Sequence, residues 1–280
     1  MSARDSEPRR RLPPLLELLL ARARQGHRTH PFPKEPVQLP VRFRGRPELS
    51  PERCADGCRA CADACPVDAI EVDPLRLDMG ACLFCPGCVE ACPEGAIAFG
   101  NDHRLATSVR ENLVVAGDVG EGVQLAQALS AASRRVFGRS IRLRQVSAGG
   151  CNACEVEVNV LNTLVFDLAR FGIQFVASPR HADGILVTGT VTANMRQAVL
   201  TTWEAVPSPR LAIAVGACAI AGGPFRGSAP AGTGMPEEIP VSLYVPGCPP
   251  HPYTILDGLL RLLGRMEGVE RLAPVGGPVR

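Results

Sequence analysis

The residues able to do chemistry in this 280-residue chain are its twelve cysteines, eight of which lie between Cys54 and Cys92. Cys58, Cys61 and Cys65 recur 27 positions later as Cys85, Cys88 and Cys92, and Cys-Pro-Val-Asp-Ala-Ile at 65–70 recurs as Cys-Pro-Glu-Gly-Ala-Ile at 92–97. The stretch is a tandem duplication. Cys54 and Cys82 break the period, being 28 apart, so one residue has been inserted beside Gly57, which can absorb an unusual backbone angle. The second copy reads C-x2-C-x2-C-x3-C-P. In such a run three thiolates wrap three corners of one iron-sulfur cubane, and the fourth, led away by the proline, reaches the other. By that logic Cys54, Cys58, Cys61 and Cys92 hold one 4Fe-4S cluster, and Cys82, Cys85, Cys88 and Cys65 hold a second. Structural zinc also uses C-x2-C pairs, but it leaves two proline-terminated tetrads unexplained. A segment this short, with few large apolar side chains, buries too little to fold alone, and metal binding supplies the deficit.

The other four cysteines need a different framework. From about Ile141 short apolar runs alternate with helical patterns. Residues 141–146, 174–177, 184–188, 211–215 and 241–245 read as buried parallel strands, and 159–171 reads as a helix with Leu161, Leu164, Val165 and Leu168 on one face. The expected class is α/β: a flavodoxin-like doubly wound parallel sheet preceded by a smaller α+β ferredoxin-like two-cluster domain. Cys151 and Cys154 follow the first strand, Cys218 the fourth and Cys248 the fifth. The carboxyl ends of parallel strands converge on one edge, so four thiolates from separate loops can meet there. Gly149, Gly150, Gly216 and Gly247 would let backbone approach the sulfides, and a helix beginning near Cys154 would turn its positive end toward an anionic cluster. A third 4Fe-4S cluster on Cys151, Cys154, Cys218 and Cys248 is expected.

Two resemblances follow from these motifs. Residues 50–100 resemble the two-cluster bacterial ferredoxins. Ser-Ala-Gly-Gly-Cys-Asn-Ala-Cys-Glu-Val-Glu at 147–157, Ser-Pro-Arg-His-Ala-Asp-Gly-Ile-Leu-Val-Thr-Gly at 178–189, Gly-Ala-Cys-Ala at 216–219 and Pro-Gly-Cys-Pro-Pro at 246–250 resemble the small subunit of energy-converting, group 4 NiFe hydrogenases. That family is homologous to the B (20 kDa) subunit of respiratory complex I. The resemblance implies that Cys151, Cys154, Cys218 and Cys248 bind a proximal cluster facing the active site of a separate large subunit. It further implies complex I-like partner subunits and an electron donor or acceptor such as a ferredoxin or a formate or CO dehydrogenase. The complex I protein has adjacent cysteines at the first position; Cys151-Asn-Ala-Cys154 favours the hydrogenase side. The implied activity is that of an oxidoreductase subunit with no catalytic residue of its own, as if two subunits of a formate hydrogenlyase-like complex had been fused. The alternatives are the equivalent subunit of a nickel-free quinone or sulfur-compound oxidoreductase, or a free-standing ferredoxin-type carrier.

Composition bounds the rest. Thirty basic against twenty-eight acidic residues leave +2, which argues against a dedicated nucleic-acid binder. Residues 1–50 carry eleven basic side chains, with Lys34 the only lysine of the chain, against five acids. This basic arm, with Leu15, Leu18, Leu19 and Leu20 at helical spacing, suits an anionic membrane surface, a partner, or simple solvation. No apolar region of signal-peptide type follows Arg9, Arg10 and Arg11, because Pro13, Pro14 and Glu17 interrupt it. The expected location is cytoplasmic, with reduced thiols, peripheral through partners on the cytoplasmic face of the inner membrane. The expected organisation is a basic arm over 1–48, the two-cluster domain over 49–104, a linker and helix over 105–140, and the α/β domain over 141–280. Gly117-Asp-Val-Gly-Glu-Gly at 117–122 lacks the strand and acid of a dinucleotide fingerprint and reads as linker before a helix over 123–135. Glu155 and Glu157 read as proton-relay candidates or as helix-start and interface acids. His181 reads as a loop-fixing or interface residue.

Overall fold

The computed structural model describes residues 13–117, 124–137 and 140–266. It opens on α1 (Pro14–Gln25), whose first-turn proline gives up no hydrogen bond. None of its residues is buried, and Leu15, Leu18 and Leu19 stay exposed.

The sequence duplication is repeated in the backbone. Helix α2 (Ala60–Asp63) carries Cys61 and α3 (Gly87–Ala91) carries Cys88. Gly57 and Phe84, 27 residues apart, are both left-handed at φ 71° and 52°, as are Asp68 and Gly95 at 50° and 62°. Five short strands frame these turns: β1 (Pro47–Leu49), β2 (Ile70–Val72), β3 (Leu75–Asp78), β4 (Ile97–Phe99) and β5 (Val114–Ala116). β1 pairs antiparallel with β4, and β2-β3-β5 forms a second antiparallel sheet. Alternation along β3 buries Leu75 and Leu77 and turns Asp78 toward Arg110, which grips it through both guanidinium nitrogens at 2.8 and 2.5 Å. The core of this part gathers Leu77, Met79, Phe84, Ile97, Phe99 and Leu113 around the cysteines.

The second half is the expected doubly wound sheet. After α4 (Ala131–Phe137), strands β6 (Ile141–Ser147), β7 (Ile173–Phe175), β8 (Gly184–Thr188), β9 (Leu211–Val215) and β10 (Leu243–Val245) run parallel in the order β10-β9-β8-β6-β7. Counted within the domain this is 2-1-3-4-5, the flavodoxin-like order. Every residue of β8 and β9 is buried, as central parallel strands covered on both faces require. The helices α5 (Ala153–Val160), α6 (Ala193–Ala205), α7 (Ala217–Ala221) and α8 (Pro252–Leu262) follow β6, β8, β9 and β10. On one face Ile185, Val187 and Ala212 cluster with Val199 and Trp203 of α6; on the other Leu143, Leu186 and Ile213 cluster with Leu256 and Leu259 of α8. All of α8 is buried, including Asp257 and Arg261, which pair at 2.7 Å one turn apart.

Two expected helices differ. The helix over 159–171 is replaced by α5, which ends at Val160, then turns and a short 3-10 segment at Leu168–Phe171. Leu161 and Leu168 are buried but Leu164 and Val165 point outward at 66% and 46% exposure, so the four do not share one face, and Asp167 takes a left-handed φ of 46° that no helix continues. The helix over 123–135 is instead α4; residues 124–130 are irregular, tied by Ala126 N–H to the Ala106 carbonyl and Leu129 N–H to the Leu262 carbonyl. Residues 118–122 of the glycine-rich stretch lie outside the described residues.

The halves are knitted together. Thr107 and Tyr244 exchange backbone hydrogen bonds at 3.0 and 2.8 Å. Phe32 and Val37 join the α8-side core, with the Phe32 ring 5.4 Å from Tyr253. Among the described residues no helix is long and apolar enough to cross a membrane.

Candidate metal centres

The eight N-terminal thiols fall into two groups that cross the repeat boundary. Cys54 is raised above the usual thiol range by burial and then by Cys92 and Cys58, and Cys61 by burial and then by Cys92 and Cys54, against the Ala62 amide, which lowers it. Cys82 is pushed up to about 12 by burial, against the Phe84 amide, with Cys88, Cys65 and Cys85 adding to the rise. Cys88 is pushed up to about 11 by burial, then by Cys85 and Cys65. The fourth member of each group thus comes from the other copy. The thiols ending each copy have matched surroundings: Ala69 N–H donates to Cys65 Sγ at 3.3 Å and Ala96 N–H to Cys92 Sγ at 3.2 Å, four residues downstream in both cases. Phe84 N–H donates to Cys82 Sγ at 3.2 Å.

The remaining four meet at the carboxyl edge of the parallel sheet. Cys151 and Cys154 flank the start of α5, Cys218 lies in α7 and Cys248 in the loop after β10. Burial raises Cys154 far above the thiol range, with Cys218, Cys248, Glu155 and Cys151 adding to it. Cys218 rises to about 11 through burial, Cys248 and Cys151. The loops are locked to each other: Gly216 N–H donates to the Val245 carbonyl at 2.8 Å and Ala217 N–H to the Gly247 carbonyl at 2.9 Å. Two glycines make room for sulfur. A Cβ at Gly216 would stand 2.5 Å from Cys154 Sγ, and one at Gly223 would stand 2.6 Å from Cys218 Sγ.

All twelve cysteines are free. Burial first, and neighbouring thiols second, keep these thiols protonated, and a bound cation would reverse this, since metal coordination deprotonates the thiols that hold it. Amide donors to sulfur and glycine-lined walls suit a bulky group richer in sulfur than a single ion. Among the described residues no trio of His, Cys, Asp or Glu side chains is gathered for a single metal ion.

The sequence names Glu155 and Glu157 but not the contacts that place them. Glu155 Oε1 accepts from Ser147 Oγ at 2.6 Å and from Thr188 Oγ1 at 2.7 Å. Ser147 and Thr188 end β6 and β8 and are partners in register, so the carboxylate bridges the two strands where the sheet order reverses. Burial pushes its pKa up, but the two hydroxyl donors outweigh it and the net shift is downward. Glu155 is therefore a pin holding α5, and with it Cys154, on the sheet edge. Glu157 is held above the usual carboxylate range by burial and lines a cavity of about 300 Å³ between the halves. Cys85 and Cys248 line the same cavity, with Arg42, Arg44 and His251, and Cys85 contributes to raising Cys248 after burial and Cys151.

Comparison with known proteins agrees with this geometry. Residues 151–262 match the family described as NADH ubiquinone oxidoreductase, 20 Kd subunit. Formate hydrogenlyase subunit 7 of Escherichia coli is 43% identical over 129 residues, 46% of this chain and 51% of that protein, so the chain spans about half the length of that relative. The probable membrane-bound hydrogenase subunit mbhJ of Pyrococcus furiosus is 40% identical over 132 residues, 47% of this chain and 79% of that protein. The B subunit of the NADH-quinone oxidoreductase of Heliobacterium modesticaldum is 42% identical over 121 residues, 43% of this chain and 69% of that protein. The fold and these relatives agree: the chain belongs to the NADH ubiquinone oxidoreductase 20 Kd subunit family.

Proposed function

We propose that this chain is the iron-sulfur electron-transfer subunit of a membrane-associated, complex I-like NiFe hydrogenase, with a 4Fe-4S cluster at each of its three cysteine tetrads. The two-cluster unit would occupy residues 49–104 and the proximal unit 141–280. Bound there, each cluster supplies a one-electron site. The chain's own residues do the rest. Thiolates ligate; the amides of Ala69, Phe84 and Ala96 donate to sulfur and favour the more negative state; Gly216 and Gly223 leave space; Glu155 pins the α5 loop. The cavity shared by Cys85 and Cys248 carries the proposal, because a cysteine of the second group and one of the third line it together, which supports electron passage between them. Exposed Cys151 and Cys248 mark the face offered to a large-subunit partner holding the nickel chemistry. Ferredoxin or a formate or CO dehydrogenase would be the outside donor or acceptor, and attachment to the cytoplasmic face of the inner membrane would be through partner subunits.

A nickel-free, complex I-like quinone or sulfur-compound oxidoreductase is the second reading, supported by the 42% identity to the B subunit of an NADH-quinone oxidoreductase, nearly equal to the 43% to the hydrogenlyase protein. Cys151-Asn-Ala-Cys154 weighs for the hydrogenase. Anaerobic purification from native extract decides. The expected result is a large complex in which one partner carries two Cys-x-x-Cys pairs and nickel. A partner without those pairs selects the second reading, and a monomer near 30 kDa, close to the 29.7 kDa of the chain alone, overturns both.

A further inference from the structure

Arg42-Phe43-Arg44 belongs to no cysteine motif and lies outside the family match at 151–262. It is nevertheless laid across the cavity that Cys85 and Cys248 share. Phe43 meets the His251 ring edge-on at 5.5 Å, three residues after Cys248. The next residue after Arg44, Gly45, is tied to the two-cluster half by its N–H to the Gly100 carbonyl at 2.8 Å. Between these anchors Arg44 Nε donates to the carbonyl of Phe84.

Phe84 is the point of leverage. Its left-handed φ of 52° matches the 71° of Gly57 in the other copy, but glycine takes that conformation without a Cβ penalty and phenylalanine does not. Such a residue persists only when its surroundings hold it. In this conformation its N–H reaches Cys82 Sγ at 3.2 Å while its carbonyl is held by the guanidinium. One peptide unit after another thus links Arg44 to a ligand sulfur, and the arginine's permanent charge stands in the cavity beside Cys85.

We propose that Arg44 is a positioning and tuning residue for the second tetrad: it holds Phe84 so that the Phe84 amide keeps donating to Cys82, and its charge raises the reduction potential of the group held by Cys82, Cys85, Cys88 and Cys65 relative to that held by Cys54, Cys58, Cys61 and Cys92. The inference rests on the cluster reading above. A positive charge and an amide donor both stabilise the reduced, more negative form, so both act in one direction. The potential would step upward toward the side on which Cys248 lies.

The test is an anaerobic, EPR-monitored redox titration of the full chain, with the second-tetrad signal identified by its loss in Cys82→Ser. Arg44→Gln is expected to lower the reduced-to-oxidised ratio of that signal about threefold at fixed ambient potential, some 28 mV at about 59 mV per tenfold, and to leave the first-tetrad signal in place. Because Arg44 is exposed, the shift should shrink as ionic strength rises. Arg44→Lys keeps the charge and should recover most of it. An unchanged potential in Arg44→Gln, or an equal fall in Arg44→Lys, overturns the role of Arg44. A wild-type chain with no reducible signal that Cys82→Ser removes overturns the cluster reading itself.

Discussion

Cys85, from the duplicated cysteine segment, and Cys248, from the loop after the last parallel strand, line one cavity of about 300 Å³ and are close enough for the first to raise the thiol pKa of the second. Two cysteine frameworks from different parts of the chain therefore face each other across a single gap. Fusion in one chain keeps that gap at a set width, which a pair of free subunits would have to recover at each encounter.

Removing one ligand should empty one site only. Cys154→Ser takes away the most deeply perturbed thiol of the third tetrad. Iron is expected to fall from about 12 to about 8 atoms per chain, with the two N-terminal signals retained by low-temperature EPR and the hydrogenase activity proposed for the complex lost.

A subtler change should act on the same site. Gly216→Ala adds a methyl 2.5 Å from Cys154 Sγ at a residue whose φ is 89°. The backbone alone costs about 1–2 kcal/mol, and the clash falls on a ligand. Iron content should drop as in Cys154→Ser, whereas Gly57→Ala, with nothing within 4 Å of the added Cβ, should lower stability by a similar backbone amount while keeping iron.

His103 should make folding sensitive to mild acid. It is 5% exposed among Phe32 and Tyr253, and neither ring nitrogen has a partner. Burial lowers its pKa from 6.5 to about 4; Asp102 opposes this, while Arg104, His251 and Arg261 reinforce it. The unfolded chain binds this proton more readily than the folded one. Stability is therefore full above pH 6.5 and declines as pH falls toward 4, by of order 3 kcal/mol. His103→Phe keeps an aromatic ring and removes this titration, so denaturation midpoints measured at about pH 7.5 and about pH 5 should lie closer together in the variant than in the wild type, with partly buried His251 left to account for the remaining difference.

Glu155 should respond at lower pH. Its net downward shift means that the ionised carboxylate stabilises the fold above the ordinary glutamate range and that this contribution is lost as pH falls through the folded value. Glu155→Gln keeps an acceptor oxygen for both hydroxyls but removes the charge, and should flatten the wild-type loss of stability below pH 4.5. The measurement is the acid limb of a denaturant-midpoint series.

The residues explain how far the sequence could be read. β8 and β9 are visible because continuous apolar runs bounded by glycine and proline are what a doubly covered parallel strand requires. That Cys92 neighbours the thiols of the first copy and Cys65 those of the second is legible in the C-x2-C-x2-C-x3-C-P spacing, since chain reach decides which sulfurs can meet. Periodicity misled over 159–171, where Leu164 and Val165 are apolar yet exposed. Gly57 signals its backbone angle by being glycine, whereas Phe84 adopts the same region with no compositional mark. Glu155 looked like a relay or helix-start acid because its partners, Ser147 and Thr188, become neighbours only through strand register. Arg44 is invisible for the same reason, as its partner Phe84 lies 40 residues away.

The most direct test of the central claim is iron, acid-labile sulfide and zinc measured together on the anaerobically purified chain. Three thiolate tetrads holding 4Fe-4S clusters predict a brown protein with about 12 iron and about 12 sulfide per chain and no stoichiometric zinc. A colourless protein carrying zinc in place of iron contradicts the account.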